Sequence, residues 1–321
     1  MVTEFSTQDS TSKFKIELYT TRRSPVKGII LAAGKGTRLG AMTCGIGRGG
    51  TGVSKPLIPT YDKATIYYPL ADLISAGIKD ILVIAAPDNV DQFHNLLGNG
   101  DDLGITISYT VQPHPEGIAQ AFIIAEDFIG NDDVALVFGD NVFSGEKFTE
   151  TLKASTNPNG ATVFTYRVTN PEDFGVVEFD KDMQAISLEE KPTQPKSHYA
   201  VVGIYFYNSS VVEIAKSIQP SARGELEITS VNQEYLSRGQ LKVTRLDSDT
   251  RWFDTGTESS LNKASNYVRD YQESTEQLLG SPELAAYRAG FIDRDKLLSL
   301  AEPLEKSTYG KALMRLALDD E

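Results

Sequence analysis

The stretch that most restricts the fold of this chain is residues 28–39, GIILAAGKGTRL. Ile29, Ile30 and Leu31 form a short charge-free run suited to a buried parallel strand. The run breaks at once into Gly34, Lys35, Gly36, Thr37 and Arg38. A strand that ends in glycines, a hydroxyl and two cations is a device for holding a polyphosphate. The glycines let backbone N–H groups approach an anion closely, and Arg38 offers a planar fork of donors. Two other phosphate loops are excluded by spacing. The dinucleotide fingerprint needs a third glycine where Leu39 stands. The ATPase P-loop needs a glycine where Ile29 stands and a hydroxyl where Gly36 stands.

With 321 residues, the chain is long enough for one large α/β domain and an appendage, or for two modest domains. A net charge of −13 argues against nucleic acid or an anionic membrane as partner, because either needs a basic face. Such a protein still binds phosphates if its cations gather in one cleft. The single Cys44 excludes an intrachain disulfide and fits a reducing, cytoplasmic setting. No apolar run approaches the ~18 residues that span a bilayer. Residues 1–26 are rich in Ser and Thr and lack the apolar core of a secretory signal, while Glu4, Asp9 and Glu17 argue against a transit peptide. They read as a disordered tail.

From residue 27 to about residue 140, short apolar runs alternate with amphipathic stretches. Residues 81–85 (ILVIA) and 134–138 (VALVF) read as buried strands, and 67–76, 90–97 and 118–128 as helices. This alternation predicts a Rossmann-like, mostly parallel sheet with helices on both faces. Ligands of such sheets sit at the carboxyl ends of the strands, so the Gly34 loop and the Gly139-Asp140-Asn141 turn fall on one rim. Past Gly160, residues 161–168, 176–179 and 200–207 alternate as strands, and 211–218 and 226–236 return to helical spacing. From Glu258 the chain is mainly helical, with Leu261, Ala264, Val268 and Tyr271 on one face.

Five further clusters carry chemistry. Ser54-Lys55-Pro56-Leu57 places a lysine after a glycine-laden loop. Gln112-Pro113 and Glu116-Gly117 follow a strand, where an amide and exposed backbone suit a base edge. Asp140 ends a charge-free strand, a common place for a magnesium ligand. Glu189-Glu190-Lys191-Pro192 sets a lysine beside acids, and Trp252-Phe253-Asp254-Thr255-Gly256 supplies a second aspartate at a strand end. Taken singly, each has a plain structural alternative: a turn aspartate, a solvated lysine, a core tryptophan. His94, His114 and His198 show no metal-ligand spacing, and there is no Gly-x-Ser-x-Gly elbow.

Taken together and in order, LAAGKGTRL, SKPL, the QP…EG pair, FGDN, FGVVEF, LEEKP, ARGELEIT and WFDTGT resemble the sugar-phosphate nucleotidylyltransferases. The runs YDKATIYYPL, AQAFIIAEDFIG and PELAAYRAGFI resemble the bacterial glucose-1-phosphate thymidylyltransferase subgroup. The resemblance covers residues 27–310. It implies a mixed, mostly parallel sheet of the nucleotide-diphospho-sugar transferase type with a helical carboxyl-terminal appendage. The implied units are a catalytic domain over 27–257, with a nucleotide half (27–140) and a sugar-phosphate half (141–257), and an oligomer or regulatory region over 258–321. It implies dTTP and glucose 1-phosphate as substrates, Mg²⁺ as cofactor and a homotetramer. Arg38, Lys55, Asp140 and Lys191 would be catalytic, and Asp140 and Asp254 would hold the metal. Leu31, Ala33, Gly34, Gly36, Thr37, Arg38, Gln112, Pro113, Gly117 and Asp140 would meet the nucleotide. Asn141, Gly175, Glu190, Lys191, Val202, Glu225 and Trp252 would meet the sugar phosphate.

Several places depart from that family. The fifteen residues 40–54 include six glycines and form a longer loop than usual. They are either a tolerated insertion, since a longer loop costs little in closure entropy, or a lid over the triphosphate with Arg48 as a phosphate contact. Phe174 stands for a common tyrosine and Val202 for a frequent threonine, each removing a hydroxyl near the sugar. Ser144, Glu146 and Lys147 stand where Tyr, His and Asp are usual, which weakens the expectation of a regulatory nucleotide site there. The competing readings are the same chemistry with UTP or another sugar 1-phosphate, a non-catalytic nucleotide-sugar binder and, weakest, a Rossmann oxidoreductase.

Overall fold

A computed structural model of the chain describes residues 26–34, 36–44 and 52–319. Residues 1–25 of the tail expected over 1–26, Lys35 and the Arg48 segment of the expected lid lie outside the described residues, while Val26 already belongs to the first strand.

The chain opens with β1 (Val26–Ala32), a small hairpin of β2 (Pro59–Thr60) and β3 (Lys63–Ala64), and helix α1 (Tyr67–Ser75). It continues through β4 (Asp80–Ala85), α2 (Val90–Leu97), β5 (Thr106–Val111), α3 (Gln120–Ile124), α4 (Glu126–Ile129), β6 (Asp133–Phe138), β7 (Asn141–Ser144) and α5 (Phe148–Lys153). The second half contributes β8 (Ala161–Arg167), β9 (Gly175–Phe179), β10 (Ala185–Glu190), β11 (Tyr199–Tyr207), α6 (Val211–Ser217), α7 (Ile228–Ser237), β12 (Leu241–Arg245) and β13 (Arg251–Asp254). Helices α8 (Glu258–Thr275), α9 (Pro282–Arg288), α10 (Arg294–Ala301) and α11 (Thr308–Asp319) follow. No helix among the described residues is long and apolar enough to cross a membrane.

Among the described residues, nine strands make one mixed sheet. β1 pairs in parallel with β4 and β6, and β4 with β5. β11 then joins β6 antiparallel and carries β8 and β9 onto the same sheet, so both halves of the chain share it. The charge-free strands read from sequence are buried on both faces. Ile29, Leu82, Ile84 and Leu136 pack with α3, α6 and α7, whereas Ile30, Val83, Ala135 and Val137 pack with α1 and α5. Strand periodicity sends neighbours to opposite sides, and covering both sides demands an apolar residue at every position.

Three local features differ from the sequence expectation. Residues 118–128 form two short helices, because Ala125 takes φ −90° and ψ 10° and breaks the helical ladder between them. Strands β10 and β12 were not apparent, since AISLEE and LKVTR are only half-buried and lack a long apolar run. Leu261, Ala264 and Val268 are buried along α8 as expected, while Tyr271 is half-buried on that face. Thr257 caps α8 in a reciprocal box with Ser260, whose amide bonds the Thr257 hydroxyl at 3.2 Å.

Candidate active site

The rim of the sheet gathers the strand ends. The amide of Gly139 donates to the carbonyl of Leu31 at 2.9 Å, which sets the turn after β6 beside the loop after β1. In that loop Ala33 is buried, and Gly34 is exposed with open space around its α-carbon. Gly36 has φ +61°, and a β-carbon there would lie 2.9 Å from Thr43 Cγ2 and 3.1 Å from Lys55 Cβ. Only glycine suits that position. Thr43 Oγ1 donates to the Gly36 carbonyl at 2.8 Å, tying the far side of the loop back onto it. Thr37 and Arg38 are exposed, and Arg38 Nη2 lies 3.7 Å from Asp254 Oδ2. Leu31 itself packs against the core, so its contribution to the rim is its backbone.

Asp140 and Asp254 meet although 114 positions apart, because β7 and β13 pair antiparallel in register Asn141 to Asp254. Lys55, 8% exposed, lies between them: its ammonium bonds Asp140 and stands 3.4 Å from Asp254 Oδ1. Burial, and then the charge of Asp140, push the Asp254 carboxyl above its ordinary pKa; Lys55 and Arg38 pull it back. The Asp140 carbonyl accepts from the Thr255 amide at 3.2 Å and the Thr255 hydroxyl at 2.8 Å. Asn141 Nδ2 donates to Asp140 Oδ1 at 3.0 Å, and Trp252 Nε1 donates to Asn141 Oδ1 at 2.6 Å. Gly203 permits this packing, since a β-carbon there would lie 2.4 Å from Phe138 and 2.7 Å from Asn141 Oδ1.

No group of three or more His, Cys, Asp or Glu side chains placed to hold a metal occurs among the described residues. The Asp140–Asp254 pair nevertheless fits Mg²⁺, which takes one or two carboxylates and completes its shell with water and substrate phosphates. Asp254, whose proton affinity is raised by burial and by the neighbouring Asp140 charge, belongs to a site that a divalent cation relieves.

The expected base-reading group forms its own unit. Gln112 is buried, and its amide nitrogen donates to Gln120 Oε1 at 2.6 Å and to the Gly117 carbonyl at 3.2 Å. Gln120, not singled out from sequence, passes the chain on to Glu116 at 2.6 Å. Pro113 is exposed. Gly117 has φ +112°, and a β-carbon there would lie 2.4 Å from the Leu226 carbonyl oxygen. Gly117→Ala therefore combines left-handed strain of about 1–3 kcal/mol with a backbone clash. A thermal scan is expected to show a Tm lowered by roughly 3–10 °C. A Tm equal to wild type would show that this loop moves freely.

On the opposite side lies a cleft of about 840 Å³ walled by Asp140, Asn141, Gly175, Glu190, Lys191 and Trp252 among others. Glu190 Oε2 accepts from Thr229 Oγ1 at 2.5 Å, and Glu190 Oε1 lies 3.6 Å from Arg223. Lys191 is exposed with φ +44°, a strained backbone held by its amide donating to the Phe174 carbonyl at 3.0 Å. Phe174 packs edge-to-face on Trp252 at 5.3 Å. Two expected sugar contacts fall elsewhere. Val202 is wholly buried in the core, and its neighbours Val201 and Gly203 face the cleft instead. Glu225 pairs with Arg223 at 2.8 Å and is not part of the cleft wall. Thr229 was missed as a site residue although it ends the ARGELEIT run; a threonine in the first turn of a helix carries no local sign of function.

A family model described as nucleotidyl transferase matches residues 27–271. The chain belongs to that family. It is 53% identical over 292 residues to the glucose-1-phosphate thymidylyltransferase of Neisseria meningitidis, covering 91% of this chain and 99% of that one. It is likewise 53% identical over 296 residues to the glucose-1-phosphate thymidylyltransferase of Mycolicibacterium smegmatis, covering 92% and 100%. A Bacillus anthracis structure described as a glucose-1-phosphate thymidylyltransferase in complex with sucrose is 39% identical. It aligns with a TM-score of 0.69 and covers 76% of this chain and 96% of the other. A nucleotidyl transferase of this kind works on small molecules, a nucleotide and a phosphorylated acceptor.

Proposed function

We propose that this chain transfers the thymidylyl group of dTTP to α-D-glucose 1-phosphate, giving dTDP-glucose and pyrophosphate. The observation that carries the reading is Lys55, buried between Asp140 and Asp254, where the glycine loop meets the cleft that holds Glu190 and Lys191. An oxygen of the sugar phosphate attacks the α-phosphorus in line; the bond to the β-phosphate oxygen breaks, and pyrophosphate leaves with that electron pair. The attacking oxygen is already an anion, so no side chain must remove a proton. The protein's task is to position and to neutralise charge.

Backbone N–H groups around Gly34 and Gly36 cradle the triphosphate, and Arg38 meets the departing pyrophosphate. Lys55 faces the α-phosphate as charge builds there. Mg²⁺ held by Asp140 and Asp254 supplies further neutralisation of phosphate oxygens when bound. Gln112 and Gly117 meet the base edge, Lys191 binds the sugar phosphate, and Glu190 with the Gly175 backbone orients sugar hydroxyls. The Phe174–Trp252 pair offers an apolar face to the sugar ring in place of a hydroxyl. The working units are the catalytic domain over 27–257 and a helical region from 258 onward, assembled as a cytoplasmic homotetramer.

The test is pyrophosphate release with Mg²⁺ and glucose 1-phosphate, comparing dTTP, UTP, CTP, ATP and GTP. The expected result is a clear preference for dTTP in kcat/KM. Preference for UTP keeps the mechanism and overturns the substrate. Absence of turnover with every nucleotide and with other sugar 1-phosphates would favour a nucleotide-sugar binder.

A further inference from the structure

Lys63 is a buried cation with no part in the chemistry above. It follows the turn of the β2–β3 hairpin, eight residues after Lys55, and its side chain is 3% exposed. Its ammonium bonds Asp62 Oδ1 at 2.6 Å and lies 3.5 Å from Gln272 Oε1 on α8. It also stands over two rings, Tyr68 of α1 at 4.7 Å and Tyr309 of α11 at 5.1 Å. Gln272 closes the cluster by donating to Asp62 Oδ2 at 2.9 Å and accepting from the Leu279 amide at 3.1 Å. Tyr309 in turn bonds Ser281 at 2.8 Å and Glu283 at 2.5 Å, both at the start of α9. One ammonium thus joins the hairpin, α1, α8 and the last helix.

A lysine desolvated to this degree is costly unless every donor is satisfied. Burial pulls its pKa below the ordinary value, and Asp62 pushes back. The hairpin it holds carries strain as well. Tyr61 at its tip has φ +64°, and its amide is secured by Ser265 Oγ of α8 at 3.2 Å. From the hairpin a short rigid path leads to Lys55. The Tyr68 hydroxyl donates to the Thr60 carbonyl at 2.7 Å, and the Thr65 hydroxyl bonds Thr60 Oγ1 and the Ile58 carbonyl, each at 2.7 Å. The Ile66 amide donates to the Pro56 carbonyl at 2.9 Å, and the Ile58 amide to the Lys55 carbonyl at 3.0 Å. Pro56 packs on Gly139, the residue before Asp140: a β-carbon at Gly139 would lie 3.1 Å from Pro56 Cγ.

We infer that Lys63 is a positioning residue, a buried cation by which the carboxyl-terminal helices hold the hairpin and thereby set Lys55 between Asp140 and Asp254. The inference rests on the phosphate-facing role of Lys55 proposed above. A misplacement of about 1 Å at a reacting group costs up to ~10²-fold in rate. A cluster that fixes Lys55 without touching substrate should therefore act on kcat and leave binding alone.

Two readouts test this on the full chain, the second independent of turnover. Lys63→Met is expected to lower kcat by ~10- to 100-fold, with KM for both substrates changed by less than about threefold. Lys63→Arg, which keeps the charge and the ring contacts, is expected to recover most of the loss. In trace labelling with acetic anhydride, mapped by mass spectrometry, Lys55 in the Lys63→Met variant is expected to acetylate at least about threefold faster than in wild type, because its enclosure loosens. A folded Lys63→Met protein with wild-type kcat, or with unchanged Lys55 labelling, overturns the inference, as does a loss that falls in KM alone. Should Lys63→Met fail to fold, Gln272→Ala removes two contacts more gently, and wild-type kcat with unchanged labelling there overturns it equally. A wild-type protein without turnover would count against the reaction proposed above, while the labelling result would still decide the role of Lys63.

Discussion

Asp140→Asn is expected to lower kcat for pyrophosphate release by roughly 10³-fold while the fold survives. The fold survives because the contacts that seat this residue on Thr255 are made by its backbone, and an asparagine oxygen can still accept from Asn141 Nδ2. The Thr255 amide and hydroxyl both bond the Asp140 carbonyl, which asparagine keeps. What is lost is one of the two negative charges that would share Mg²⁺ and that face the Lys55 ammonium. Removing it also relieves the like-charge contribution that raises the Asp254 pKa, so the variant should melt within about 3 °C of wild type. Rates near wild type would place the metal and the reacting phosphate elsewhere. A large fall in Tm would mean that the charge pair serves the fold.

Lys55→Met is the second large effect. Methionine fills much of the lysine stem's space, so the change isolates the charge. Without the ammonium, the exposed Arg38 beside Asp254 is left as the counter-charge to Asp140 and Asp254, and the α-phosphate loses the cation proposed to face it. A fall of roughly 10²- to 10³-fold in kcat is expected, the range for one electrostatic donor in a water-poor site. Because Lys55 and Asp140 act as one unit, the double variant should fall little below the worse single one. Strict additivity of the two losses would show that they serve separate steps. Lys55→Arg should recover little, since a planar fork does not replace a point charge held between two carboxylates.

Much of this was legible in the chain because the signals are local. The charge-free runs at 29–31, 81–85 and 134–138 are strands because a strand buried on both faces has no place for a charge. Gly36 and Gly117 were marked by their motifs, and both carry positive φ with no room for a side chain. Where the reading failed, the cause was equally physical. Val202 lies beside an irregularity in the β11–β8 register between Val201 and Tyr205. The alternation of β11 runs through it unbroken, sending Val202, Ile204 and Phe206 to the core and Val201, Gly203 and Tyr205 to the cleft, so the motif placed Val202 on the wrong face. Glu225 was placed by motif, but it stands outside the cleft wall, paired with Arg223 at 2.8 Å. The helix expected over 118–128 is divided at a single residue, Ala125, a strong helix former whose type gives no warning of the break.

By itself the sequence determined the strand that ends in a phosphate loop, the layered α/β plan and the residue types available for nucleotidyl transfer. These follow from spacing, periodicity and steric rules that act within a few residues. Only the tertiary structure decided which lysines became working or structural cations. Lys55 is enclosed because β7 and β13 carry two distant aspartates to it, and Lys63 because α1, α8 and α11 close around it. Burial of a charge depends on elements that meet across the fold, and no local pattern records which of them will meet.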